Sequence, residues 1–254
     1  MRVIRWAFVT TLRILSKVLL KVQVVGMERL PASGPVILAI NHINSVDALL
    51  LRALLPREIV AWAKAEIWDN PIFRVIAQSL DSIPLRRGEM DVGAARLAIQ
   101  RLSEGKMLGI APEGTRSWHG RLQRGRPGLV FLALHAPHVY ILPTVLYGQE
   151  SLSHNVRRLR RTPVTVFFGQ GFYLEPGESR VTQEVRQAIV DEVMAQIASL
   201  LPPPYRGVYS DLAAASESHL RFPPGTMSNL RLALAPEGAF RSQRAPAAVE
   251  ETGT

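Results

Sequence analysis

The stretch Asn41-His42-Ile43-Asn44-Ser45-Val46-Asp47 decides how this chain is read. A short apolar run, Val36-Ile37-Leu38-Ala39-Ile40, leads into it behind Gly34-Pro35, which predicts a buried strand. A Leu-rich run, Ala48-Leu49-Leu50-Leu51, leaves it, continues to Leu55 and stops at Pro56, which predicts a short helix. Asp47 falls at the start of that helix, where a carboxylate caps free N–H groups and complements the dipole. His42 falls on the strand-to-helix turn, the place where ligand sites of α/β sheets open. The pair has two readings. In one, His42 is a general base and Asp47 holds its other ring nitrogen. In the other, His42 is a turn residue and Asp47 only a helix cap. The chain contains no Cys, and no Gly-x-Ser-x-Gly elbow surrounds Ser45. A catalytic pair of this kind therefore points to a nucleophile supplied by the substrate.

A second block has the same grammar. Met107-Leu108-Gly109-Ile110 is strand-like and runs into Ala111-Pro112-Glu113-Gly114-Thr115-Arg116-Ser117. One turn thus carries an acid, a Gly that permits close backbone approach, a hydroxyl and a guanidinium suited to phosphate. That is a cradle for a phosphate monoester, or an ordinary Pro–Gly turn with exposed charges.

Together, Asn-His-x-x-x-x-Asp and the later Pro-Glu-Gly-Thr-Arg-Ser resemble the glycerolipid acyltransferases, above all the 1-acyl-glycerol-3-phosphate acyltransferases that make phosphatidic acid. Further blocks follow in family order. Ala63-Lys64-Ala65-Glu66 resembles the Lys-x-Glu block, and Ile83-Pro84-Leu85-Arg86-Arg87-Gly88 the block ending in a substrate-binding Arg. Ile141-Leu142-Pro143-Thr144-Val145 resembles the strand with a buried Pro, and Arg126-Pro127-Gly128 the basic-x-Gly segment. The resemblance covers residues 24–200. It implies His42 and Asp47 as catalytic residues and Arg87, Glu113, Gly114, Thr115 and Arg116 as the holders of glycerol phosphate, with Glu113 meeting a hydroxyl or an Arg. It implies lysophosphatidic acid as acceptor, acyl-CoA or acyl carrier protein as donor, and no cofactor or metal. Three departures bear on substrate preference rather than on the reaction: Asn44 where relatives usually have Ser, Ala111 where Phe is common, and Ser82 where Gly is frequent.

The strands alternate with helical patterns. Residues 59–63, 82–85, 140–146 and 164–168 read as strands, and residues 91–103, 129–135 and 183–200 as helices. Residues 68–80 read as a helix or an apolar wall. Such alternation predicts an α/β fold, a mixed and largely parallel sheet flanked by helices. Residues 1–24 place Arg13, Lys17 and Lys21 on one helical face and Ile4, Phe8, Leu12, Leu15 and Leu19 on another. Their uncharged runs fall far short of the about 20 residues that span a bilayer. The expectation is an amphipathic helix on an anionic membrane, with the protein at the cytoplasmic face. Residues 25–203 are then the acyltransferase domain, and 204–254, where Pro, Ala, Ser and Glu accumulate, a largely disordered extension.

The chain has 254 residues, 47% of them hydrophobic and 20% charged, and its 30 Lys and Arg against 21 Asp and Glu give a net charge of +9. That excess favours anionic partners. Arg157-Arg158-Leu159-Arg160-Arg161 reads equally as a solvated loop or a headgroup site. His119, His135, His138, His154 and His219 read as structural or exposed, since none has a partner at useful spacing. Two alternatives compete: acyl transfer to a different acceptor, such as a lyso-ornithine lipid or another lysophospholipid, and a non-catalytic binder of acidic lipid or nucleic acid. Nucleic acid is disfavoured because the cations are not interleaved with stacking aromatics, which make up 7% of the chain.

Overall fold

The computed structural model describes residues 2–44, 46–85, 91–177 and 181–235. The chain opens with helix α1 (Arg2–Leu19) and enters strand β1 (Leu20–Val25) without a break. Here the expected helix over 1–24 is corrected. Val22, Val24 and Val25 are β-branched, and the segment pairs in parallel with a later strand, so Lys21 lies on a strand and not on the basic face of α1. Strand β2 (Val36–Ile40), buried at every position, leads to the His42 turn, and α2 (Asp47–Leu54) leaves it. Strand β3 (Ile59–Lys64) follows, then a 3-10 turn at Ala65–Asp69 and α3 (Pro71–Ser79), which starts after Asn70, whose side chain caps Ile72 and Phe73.

Strand β4 (Ile83–Leu85) precedes α4 (Val92–Ser103), capped by Asp91. Strand β5 (Met107–Ile110) carries the second block, and α5 (Gly128–His135) follows it. Strand β6 (Tyr140–Tyr147) is followed by a 3-10 turn at Gln149–Ser151, α6 (Leu152–Arg157) and β7 (Thr162–Phe168). Strand β8 (Tyr173–Leu174), α7 (Gln183–Leu200), β9 (Leu220–Arg221) and α8 (Asn229–Leu234) complete the described chain. Thr182 caps α7 as its position predicts.

Seven strands form one sheet in the order β1-β7-β6-β2-β5-β3-β4. Strands β6, β2, β5, β3 and β4 are parallel, whereas β7 is antiparallel to β6 and β1 is parallel to β7. Parallel strands bury both faces, so their sequences are continuous apolar runs rather than alternating ones. The carboxyl ends of β2, β5 and β6 therefore open on one edge, with β2 in the middle. One core lies between the sheet and α4, α5 and α7, centred on Ile37, Leu108, Ile141, Val193 and Ile197; a second lies under α2 and contains Leu38, Leu50, Leu51, Leu142 and Phe168.

The domain does not end at residue 203. Residues 204–235, expected in a largely disordered extension, pack onto the body: β8 pairs with β9, and Leu212, Leu230 and Leu232 are buried. Their anchor is polar. Glu192 on α7 is nearly buried and accepts hydrogen bonds from Ser216 Oγ, from the amide and hydroxyl of Ser218, and from the amide and ring Nδ1 of His219. Burial pushes this carboxyl up, but the bonds from His219, Ser216 and Ser218 outweigh it and hold the group below its usual range. His219 thus has a carboxylate partner that lies 27 residues away, out of reach of any spacing argument. A depressed carboxyl contributes stability above its unfolded value, and that contribution is lost as pH falls through the folded value. Glu192→Ala should cost about 3–5 kcal/mol at neutral pH because five donors lose one charged acceptor. Denaturant unfolding reads the loss, and hydrogen exchange should show residues 210–235 opening first.

Candidate active site

Two residues on the β2 turn meet as their types imply. His42 Nδ1 lies 2.9 Å from Asp47 Oδ2. Asp47 is fully buried, and the His42 side chain is 22% exposed. A carboxylate only accepts hydrogen bonds, so Nδ1 carries the proton and Nε2 is left as the ring's basic nitrogen. The expected cap is corrected here. Asp47 is the first residue of α2, but its carboxylate turns back into the loop: the amides of Ile43 and Asn44 donate to Oδ2, each at 2.9 Å, and Gln149 Nε2 donates to Oδ1 at 2.9 Å. The amides that follow His42 thus close on the same carboxylate that its ring meets.

The second block holds the backbone of the first. Parallel pairing of β2 with β5, Ala39 opposite Ile110, brings the Glu113 turn beside His42. The His42 amide donates to Glu113 Oε1 at 3.2 Å, and the Ser117 amide donates to the His42 carbonyl at 2.8 Å. Glu113 Oε2 accepts from the Gln123 amide at 2.9 Å. Glu113 is 2% exposed, and burial pushes its carboxyl up while the amides of Gln123 and His42 pull it back. Both carboxylate oxygens thus accept from backbone amides. Glu113 braces the turn.

The remaining residues of the expected cradle separate. Gly114 has φ +70, and an added Cβ would sit 3.0 Å from Arg126 Cδ, so the turn requires Gly and presses on Arg126. Thr115 joins Glu113, Gln123, Arg124 and Arg126 in a cleft of about 890 Å³ against the start of α7. Arg116 faces the other way, into a cleft of about 550 Å³ with Ile43, Asn44, Trp118, Arg121 and Tyr205, its guanidinium 4.5 Å from the centre of the exposed Trp118 ring. Arg87 lies outside the described residues.

Several site residues carry no sequence signal of their own. Tyr205 forms a wall of the smaller cleft and donates to Glu150; burial, and then the Glu150 carboxylate, push its phenol up to about 12. Gln149 reaches Asp47 from a turn whose positive-φ residue, Gly148, could have marked it as a sharp bend at the end of a strand.

Residues 21–147 match the family described as Acyltransferase. The chain is 30% identical over 134 residues to the 1-acyl-sn-glycerol-3-phosphate acyltransferase of Borreliella burgdorferi, covering 52% of this chain and 53% of that protein. It is 36% identical over 133 residues to the enzyme of the same name from Cocos nucifera, covering 50% and 42%. The chain spans about half the length of the curated relatives it matches. Its fold is similar to the crystal structure of the 1-acyl-sn-glycerophosphate (LPA) acyltransferase PlsC from Thermotoga maritima, with a TM-score of 0.54 and 22% identity over 74% of this chain and 78% of that one.

The frame that carries His42 has a buried polar joint. The side chain of Asn41 continues the β2–β6 ladder, donating to Leu146 O and accepting from Leu146 N, both at 2.8 Å. Asn41→Ala leaves both groups of Leu146 without these partners and should lower stability by about 1–3 kcal/mol, measured by urea unfolding.

Proposed function

The chain belongs to the acyltransferase family, and we propose that it transfers a fatty acyl group from acyl-CoA or acyl carrier protein to the free hydroxyl of 1-acyl-glycerol-3-phosphate, giving phosphatidic acid. The observation that carries this reading is the His42 Nδ1–Asp47 Oδ2 bond, on a turn braced by the Glu113 block. Asp47 commits Nδ1, so Nε2 takes the proton of the acceptor hydroxyl. The oxygen attacks the thioester carbonyl, the tetrahedral intermediate expels the thiolate, and the imidazolium returns the proton to sulfur. Asp47 stabilises the imidazolium between these steps. Arg116, in the cleft beside the His42 loop, and Arg87 supply charge for the phosphate, whereas Thr115 lies in the other cleft. Neither a cofactor nor a metal enters these steps.

The same reading places the protein on an anionic membrane at the cytoplasmic face. Among the described residues no helix is long and apolar enough to cross a membrane. Helix α1 packs on α2 and α3, yet none of its residues is buried. Val3, Trp6, Ile14 and Val18 on α1 and Ile72 and Phe73 on α3 are exposed, a large apolar area for an uncovered surface. The arginine run lies at the other end of α1, because Arg161 donates to Leu20 O; between exposed Arg158 and Arg160, Leu159 is 98% exposed. Cations beside exposed apolar side chains suit headgroups above acyl chains.

Thiol release from oleoyl-CoA or oleoyl carrier protein should depend on lysophosphatidic acid, with phosphatidic acid as the product. His42→Ala should lower it by about 10²–10⁴-fold with vesicle binding retained. Donors consumed equally without this acceptor, or product made only from another lyso-lipid in a panel, would redirect the assignment. The Trp6→Glu/Phe73→Glu pair should reduce sedimentation with anionic vesicles by about 10–100-fold, while turnover of detergent-dispersed substrate stays near native.

A further inference from the structure

Gln149 is completely buried, yet it is a polar side chain at the end of a strand. Its Nε2 donates to Asp47 Oδ1 at 2.9 Å and lies 3.4 Å from Leu146 O. Its Oε1 is buried and, among the described residues, has no hydrogen-bond partner. Turning the amide over would set Oε1 against two acceptors, Asp47 Oδ1 and Leu146 O, so the orientation is fixed by the carboxylate. The fold leaves one buried acceptor unmatched and keeps the donor on Asp47.

The backbone delivers this amide by a constrained route. Gly148 has φ +97, and a Cβ there would stand 2.4 Å from Pro163 O. Only Gly fits the bend that turns the chain from β6 toward Asp47. Asn44 Nδ2 also donates to Gln149 O at 3.4 Å, tying the bend to the His42 loop.

Among the described residues, the three other donors to Asp47 all converge on Oδ2, and Oδ1 accepts from Gln149. We infer that Gln149 is a positioning residue for the acyl-transfer reaction, holding the Asp47 carboxylate in the rotation that aims Oδ2 at His42. This inference rests on the acyltransferase reading of the His42–Asp47 pair. Without the amide, the buried Oδ1 loses that donor, the carboxylate rotates to find another, and the imidazole loses its alignment.

Gln149→Met keeps the side-chain length and removes both polar ends. It should lower kcat by about 10–100-fold and leave KM for donor and acceptor within about two-fold of native. Its thermal midpoint should fall, because the buried Asp47 Oδ1 loses a donor and removal of the unmatched Oε1 offsets only part of that; Gln149→Leu replaces it if the Met variant does not fold. Combined with Asp47→Asn, the substitution should cost less than about two-fold more, because the group it acts through is gone. Native kcat in Gln149→Met, or a full additive loss in the Asp47→Asn background, overturns the inference. The low-field proton resonance of His42 Nδ1 gives a readout independent of turnover. It should shift or vanish in Gln149→Met, and an unchanged resonance overturns the positioning role even if the native protein proves inactive on every lyso-lipid.

Discussion

A carboxylate cut off from water is the constraint on which this site depends. Removing an unpaired carboxylate from water costs several kcal/mol, and only a full set of donors offsets it. Among the described residues, Asp47 finds its donors on two separate parts of the chain: the His42 turn, which gives a ring nitrogen and two amides, and the bend after β6, which gives Gln149. These meet only if β2 and β6 are neighbours in the right register. Asn41 secures that register by acting as one more rung of the ladder. Strand β5, on the other side of β2, brings Glu113 and Ser117 to the backbone of His42. The sheet order around β2 is thus what holds the His42 ring against Asp47.

Much of the frame was legible in the sequence. The apolar runs at Val36–Ile40 and Met107–Ile110 are strands at those bounds, because doubly buried parallel strands leave no room for polar alternation. The helices expected over 91–103 and 183–200 form as α4 and α7. What stayed hidden rests on contacts between distant positions. Strand β1 owes its conformation to pairing with β7, so a helical pattern overran it. The C-terminal segment looked polar and Pro-rich, but Glu192 satisfies its polar groups from another element. At the site, residue types pointed to a His42–Asp47 pair, and the two side chains do meet, whereas Glu113 turned out to brace the loop through backbone amides, a role no side-chain chemistry advertises.

The Glu113 turn has an architectural consequence. It separates two clefts, with Arg116 facing one and Thr115 facing the other. A reaction that joins a lipid acceptor to a soluble thioester needs two approaches to one base. Under the proposed acyl transfer the exposed apolar side chains of α1 and α3 would face the lipid; the cleft bearing Trp118 and Tyr205 opens beside the His42 loop. Because Tyr205 belongs to the C-terminal segment, the packing of that segment helps to shape the site.

The central claim is that His42 activates a hydroxyl on the acceptor, so the acyl group never rests on the protein. A single-turnover experiment with acyl-labelled oleoyl-CoA or oleoyl carrier protein tests it directly, with intact-protein mass recorded at each time. The account predicts that label passes from thioester to lysophosphatidic acid with no acylated protein, and that without acceptor the protein mass stays constant. A protein that gains one acyl mass before the lipid forms, and loses it as product appears, would contradict the account.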